Sequence, residues 1–307
     1  MNVRDGSTGR RTELLSAAAL VFVAFLFGTS FVVVKGALDD IDPIPFLALR
    51  YLFATLALAP FALLRPSQAG ELRAGLITGL TYLAGMLGQT IGLQYTTAAT
   101  SAFLTYMLIV FVPFVSFAVG RGRPSRLTVI AIGVAIVGLA LLTGAGDGFG
   151  RGAVLTLLGA VAFAVHLVQM GEYGPRFDIF RFNAIQLAAV AIPCIILVPV
   201  TGGLPSTAEP YWVAFYAGVV VSALALIPWT WAQRHIPATR ASLILLTEPV
   251  FATVAAYLVD DERFTLGAAC GAVLILIAAV MAELGPVLTA RSGLDSARPL
   301  AARMRGD

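Results

Sequence analysis

Long apolar runs separated by short polar joints set the rhythm of this chain. The first run, from Leu14 to Val34, is about twenty residues, enough at 1.5 Å per residue to cross a hydrocarbon layer of about 30 Å. Arg4, Arg10 and Arg11 precede it, as in a secretion signal. No small-residue cleavage site follows, so it reads as a retained first span. Further runs at 44–64, 72–93, 98–119, 127–144, 152–170, 179–200, 211–231, 239–259 and 265–288 bring the expected number of transmembrane helices to ten. Residues 1–13 form a basic leading tail. Residues 289–307, rich in Arg and poor in apolar residues, predict a disordered strip lying near anionic lipid.

Polar residues inside these runs are the candidates for chemistry. The ninth run holds Glu248 followed by Pro249. A lone carboxylate in lipid costs about 2–3 kcal/mol, so Glu248 is expected to face protein or a watery cavity. Proline removes a backbone hydrogen bond and kinks the helix beside it. At 1.5 Å per residue Glu248 falls about 12 Å from its helix end, near mid-membrane, and Arg50 about 9 Å from the other surface. Arg50 suits a carboxylate, or equally a snorkelling or helix-locking role. Together with Ser30, Gln89, Tyr106, His166, Gln169, Gln186, Trp229 and Ser242, these two make up the expected substrate cavity. Phe22, Phe25, Phe31, Tyr82, Phe103 and Trp231 are further aromatic candidates, each also explained by lipid contact. His166 and Gln169 share a helix face, and a histidine can relay protons or simply pack.

Composition narrows the class. At 59% hydrophobic and 12% charged, with mean hydropathy +0.90, the chain departs from the roughly 25% charge of soluble domains. The net charge of +3 sits in short loops and tails, which marks topology and not a nucleic-acid footprint. With the N-terminus inside, sixteen Lys and Arg fall on the cytoplasmic side and three, Lys35, Arg151 and Arg263, on the other. Both termini are therefore expected in the cytoplasm. Cys194 and Cys270 lack metal-ligand spacing, and no metal or cofactor site is expected.

Shifting the chain by about 136 residues sets Phe27 on Phe163, Arg50 on Gln186 and Pro113 on Pro249. Five spans per half is an odd number, so the second copy must enter the membrane from the opposite face. The joint after Pro113 carries Arg121, Arg123 and Arg126, whereas that after Pro249 carries Asp260, Asp261 and Glu262, the reversal an inverted repeat requires. The expected repeats are 14–146 and 147–288, with Pro113 and Pro249 as hinge kinks between rocking halves. Small-residue spacings at Gly75/Gly79, Gly88/Gly92 and Gly267/Gly271 fit tight packing, a sliding surface or a homodimer seam.

At this point the sequence resembles the drug/metabolite transporter superfamily, in particular its EamA-type ten-helix exporters. The resemblance lies in Phe27 to Phe31, in Arg50 and Tyr51, in Gln89 to Pro113, and most specifically in Pro237 to Phe251. It departs where Phe27 replaces the common tryptophan and where Gly120, Arg121 and Gly122 replace a Gly-Glu. It implies export or exchange of small metabolites, often amino acids or their derivatives, across the cytoplasmic membrane. One deep Arg and mostly neutral polar residues favour a neutral or zwitterionic solute over phosphorylated ones. No GxxxxGK[ST] motif is present, so coupling would come from a gradient, with protons the candidate ion and Glu248 their site. Alternatives are an ungated facilitator or multidrug-type exporter. An intramembrane enzyme lacks HExxH and GxSxG, and a receptor lacks a sizeable soluble segment.

Overall fold

The computed structural model describes residues 4–96, 98–121, 126–143, 150–259, 266–267, 269–271, 273–278 and 281. Every regular element among them is helical. The first half holds α1 (Arg4–Ala37), α2 (Pro43–Leu63), α3 (Glu71–Gln94), α4 (Ala98–Tyr106), α5 (Leu108–Ala118) and α6 (Arg126–Thr143). The second holds α7 (Arg151–Tyr173), α8 (Ile179–Leu197), α9 (Glu209–Tyr216), a π-helical stretch (Ala217–Leu224), α10 (Ala225–Ala232), α11 (Ala238–Leu245) and α12 (Glu248–Val259). A short apolar helix, α13 (Ala269–Ala278), follows. Seven stretches are long and apolar enough to cross a membrane, and the shorter Leu104–Ala118, Arg126–Gly138 and Ala269–Ala278 fall where the remaining three spans are expected. The acidic joint at 260–262 and the tail at 289–307 lie outside the described residues.

Three spans are interrupted, and not at the positions the prolines suggest. The fourth breaks at Met107 and the ninth at Leu246 and Thr247. Pro249 stands in the first turn of α12, where no helical N–H is lost. Pro113 lies inside α5, six residues past its break. The prolines are thus not structural equivalents. Met107 and Leu246 are 139 residues apart, so the 136-residue register has slipped by about one turn in this span. The eighth span instead carries the π-helical stretch at its centre.

The packing follows a two-fold exchange of halves. The helices α2 and α8 pack against one another, as do α5 and α11. Against these self-matched pairs, α1 packs on α10, α11 and α12, while α7 packs on α3, α4 and α5. Asp42 and Asp178, 136 residues apart, precede α2 and α8. Close approaches are matched as well. A methyl group at Gly79 would stand 2.8 Å from the Gln186 carbonyl oxygen and 2.6 Å from the Ala189 side chain. Gly218 approaches Arg50 and Phe53, the residues 136 earlier, in the same way. The described residues form an all-α membrane protein of two inverted repeats, with seven long apolar helices and three shorter ones at the places of the ten expected spans.

Glycine makes these contacts, and they are internal. Gly75 and Gly79 face α8, whereas Gly85, Gly88 and Gly92 face Phe163, Gly159 and Thr156 of α7. Gly271 packs against Gly138 of α6. Small residues let backbones approach closely where lipid supplies no hydrophobic drive between helices.

The two surfaces of the bundle differ. One carries the C-terminal ends of α1 and α3, where the Lys35 ammonium donates to the carbonyls of Leu93 (2.8 Å) and Thr96 (3.4 Å). Arg151 lies over the Tyr95 ring there, 4.8 Å from its centroid. The other carries the C-terminal ends of α5 and α7. There Glu172 accepts from Arg121 at 2.5 Å and also pairs with Arg176. Arg234 donates to the carbonyls of Gly174 (3.0 Å) and Phe177 (2.6 Å), and Arg240 pairs with Glu13 at 3.1 Å. A second cluster joins Arg181 to the fully buried Glu71 at 3.0 Å, fastening α8 to α3.

Candidate functional site

The buried centre follows from two helix features. Gly28 allows α12 to approach α1 so closely that an added methyl group would stand 2.5 Å from the Glu248 carbonyl oxygen. The break at Leu246 and Thr247 then starts α12 at Glu248, with the amides of Val250 and Phe251 donating to the Thr247 carbonyl. The Glu248 side chain is 4% exposed and accepts a hydrogen bond from the Tyr106 hydroxyl. Across from it, Arg50 on α2 is 6% exposed. Its Nε donates to Ser222 Oγ in the π-helical stretch at 2.9 Å, and Ser222 Oγ in turn donates to the Ala217 carbonyl at 3.0 Å. The wider π turn sets that hydroxyl against the arginine. Among the described residues Arg50 forms no ion pair.

Arg50 and Glu248 line one cavity, whose empty space, open mouth included, is about 800 Å3. Its floor is aromatic: Tyr82 and Phe163 lie near the midpoints of α3 and α7, and the Trp229 ring meets Phe27 of α1 edge to face at 5.6 Å. From there the lining climbs α1 through Ser30 and Phe31 to Val34, and α3 through Met86, Gln89 and Thr90 to Leu93, toward the Lys35 surface. Gln89 donates to Thr105 Oγ1 at 3.1 Å, which joins α3 to α4.

Six of the sequence candidates meet here: Ser30, Arg50, Gln89, Tyr106, Trp229 and Glu248. Four do not line the cavity. His166 is fully buried beneath the floor, stacked on Tyr82 at 4.6 Å, with Nε2 3.0 Å from Gln186 Oε1. Gln186 donates onward to Asn183, and Asn183 pairs with Thr230. Gln169 accepts from Thr81 at 2.7 Å, and Ser242 donates back to its own helix at Thr239. Among the aromatic candidates, Phe22 and Phe25 face outward, and Trp231 pairs with His235. Phe31 and Tyr82 do line the cavity. Sequence reasoning left Met86, Thr90 and Phe163 out of the site. Phe163 was within reach, because it stands 136 residues after Phe27.

The model of the EamA-like transporter family matches twice, over residues 14–144 and 150–284. The chain belongs to the EamA-like transporter family. An uncharacterized transporter of Archaeoglobus fulgidus is 27% identical over 89% of this chain and 87% of its own length. The uncharacterized transporter YoaV of Bacillus subtilis is 22% identical over 83% and 92%. The uncharacterized inner membrane transporter YedA of Escherichia coli K12 is 22% identical over 91% and 94%. A crystal structure with 18% identity superposes with a TM-score of 0.73, covering 88% of this chain and 98% of that one, and shows the same fold. The protein is thus a multi-pass membrane transporter by family.

Proposed function

We propose that this protein is a secondary transporter that exports small zwitterionic metabolites, amino acids or related compounds, across the cytoplasmic membrane by alternating access. The observation that carries this reading is the presence of one buried cation and one buried carboxylate in a single, otherwise uncharged cavity. Arg50 offers its fork to a carboxylate, and Glu248 offers an oxygen to an ammonium group. The apolar walls accommodate the rest of the solute. A phosphorylated solute would call for several cations where the cavity has one.

The Arg-rich joints support placing the Glu172 surface and both termini in the cytoplasm, and the Lys35 surface outside. The cavity then faces outward, as in an exporter about to release or an exchanger about to load. Protons are the coupling ion in this reading, and Glu248 carries them, because the ammonium and the proton compete for one carboxylate. No catalytic step is part of the reading.

Counterflow in proteoliposomes loaded with amino acids, nucleosides and small cations, read by mass at pH 6 and pH 8, tests it. Selective exchange of zwitterions supports the proposal. Exchange confined to lipophilic cations that need Glu248 and not Arg50 would replace it with a multidrug reading, which the aromatic floor also suits. Glu248→Gln should abolish the pH dependence of transport. Full pH dependence in that variant would give Glu248 a structural role and leave a facilitator.

A further inference from the structure

Beneath the cavity floor lies a second set of side chains with no task in the outward cavity. The matched positions of α1 and α2 against α7 and α8 give them one. The 136-residue register holds in this part of the fold, anchored by Asp42 and Asp178 and by the Gly79–Gln186 and Gly218–Arg50 approaches. The cavity residues of α1 and α2 are Phe27, Ser30, Phe31, Val34 and Arg50. Their counterparts are Phe163, His166, Leu167, Met170 and Gln186.

Two of these counterparts, Phe163 and Leu167, already line the floor from the other repeat. The remaining three, His166, Met170 and Gln186, are all 0% exposed. That is the division expected of a two-sided path whose centre is shared and whose far side is closed. We infer that His166, Met170 and Gln186 line a second solute cavity, open to the Glu172 surface in the alternate conformation, as Ser30, Val34 and Arg50 line the present one. The inference rests on the alternating-access reading above.

An independent observation points the same way. The Gln186 amide nitrogen donates to Asn183, so its oxygen faces His166 and accepts the Nε2 proton. The neutral ring then keeps a bare acceptor at Nδ1, which has no hydrogen-bond partner among the described residues although the ring is fully buried. Buried polar atoms are seldom left so. Opening toward the Glu172 surface would supply water or a solute donor to it. For that to happen, the bonds above it must part: Gln233 Nε2 to the Leu167 carbonyl (3.0 Å), Arg234 to Gly174 and Phe177, and Arg121 to Glu172. The two sides would then grip one solute differently, with a guanidinium on one and neutral hydrogen-bonding groups on the other.

Thiol accessibility in the full-length protein tests this. In a Cys194→Ala, Cys270→Ala background, Val34→Cys and Met170→Cys are each treated with a charged, membrane-impermeant methanethiosulfonate from either side of oriented vesicles. Val34→Cys should react from the Lys35 side, and Met170→Cys from the Glu172 side alone, at least three-fold faster after Glu172→Gln. Met170→Cys unreactive from both sides, in protein that still performs counterflow, would overturn the inference and leave the transport reading standing. Reaction of Met170→Cys from the Lys35 side would also overturn it. His166→Cys, one turn deeper on the same face of α7, replaces Met170→Cys if that variant fails gel filtration. Counterflow with the same vesicles reads the transport proposal separately.

Discussion

The two sides of the mid-plane are built from matched residues and put to different use. Toward the Lys35 surface, Ser30 and Arg50 border open space, and the closest tie across the rim is one ammonium on two carbonyls. Toward the Glu172 surface, the counterparts His166 and Gln186 are sealed under a roof of arginine contacts. In the alternating-access reading proposed above, a duplicated scaffold gives two packings of similar energy, and the polar contacts at the helix ends are what would select between them. On that reading the deep residues define what is carried, and the ends define which side is open.

This contrast yields a ranked series of expected effects. Arg50→Gln installs on the open side the residue its counterpart carries. It should weaken the apparent affinity for carboxylate-bearing solutes by about 10- to 150-fold, the equivalent of charge-assisted hydrogen bonds worth about 1.5–3 kcal/mol. Competition in the counterflow assay reads this, and unchanged affinity would mean that Arg50 only fastens α2 to the π-helical stretch. Gly28→Val strikes the α1–α12 contact that places Glu248. Overpacking of this kind costs about 1–3 kcal/mol, read as a lower melting temperature in detergent, whereas an equal change at Gly36, which has open space around it, should leave the melt alone.

Smaller effects come from the ends. Glu172→Gln removes a carboxylate shared by two arginines, of which Arg176 is well exposed. Exposed pairs are worth up to about 1 kcal/mol, so accessibility from the Glu172 side should rise by about three- to five-fold. High salt should have the same effect on the unaltered protein. Lys35→Met should do least, because water can replace the ammonium on the freed carbonyls. A slightly faster reaction of Val34→Cys is the expected sign.

Much of this was legible in the residue pattern. Arg50 and Glu248 declare themselves because a charge in an apolar run must have somewhere to go. The duplication was visible in Phe27 and Phe163. The polar residues His166, Gln169, Gln186 and Ser242 were harder to place, because every face of such helices is apolar and periodicity does not separate a cavity wall from a helix–helix seam. Hydrogen-bond partners from distant helices decide it. The helix breaks at Met107 and at Leu246 and Thr247 were hidden for another reason. Pro249 announces an interruption, but proline is tolerated in a first turn, so the interruption falls before it. The π-helical stretch that supplies Ser222 to Arg50 has no proline or glycine pair to announce it at that serine.

Lys35 has one more consequence. It is the only lysine in the chain, and it sits at the rim where α1 meets the end of α3. An amine-directed fluorophore would therefore find a single lysine in this sequence, and it stands at that rim. The mouth of the cavity thus carries a natural handle, through which its opening can be followed by fluorescence without altering a residue.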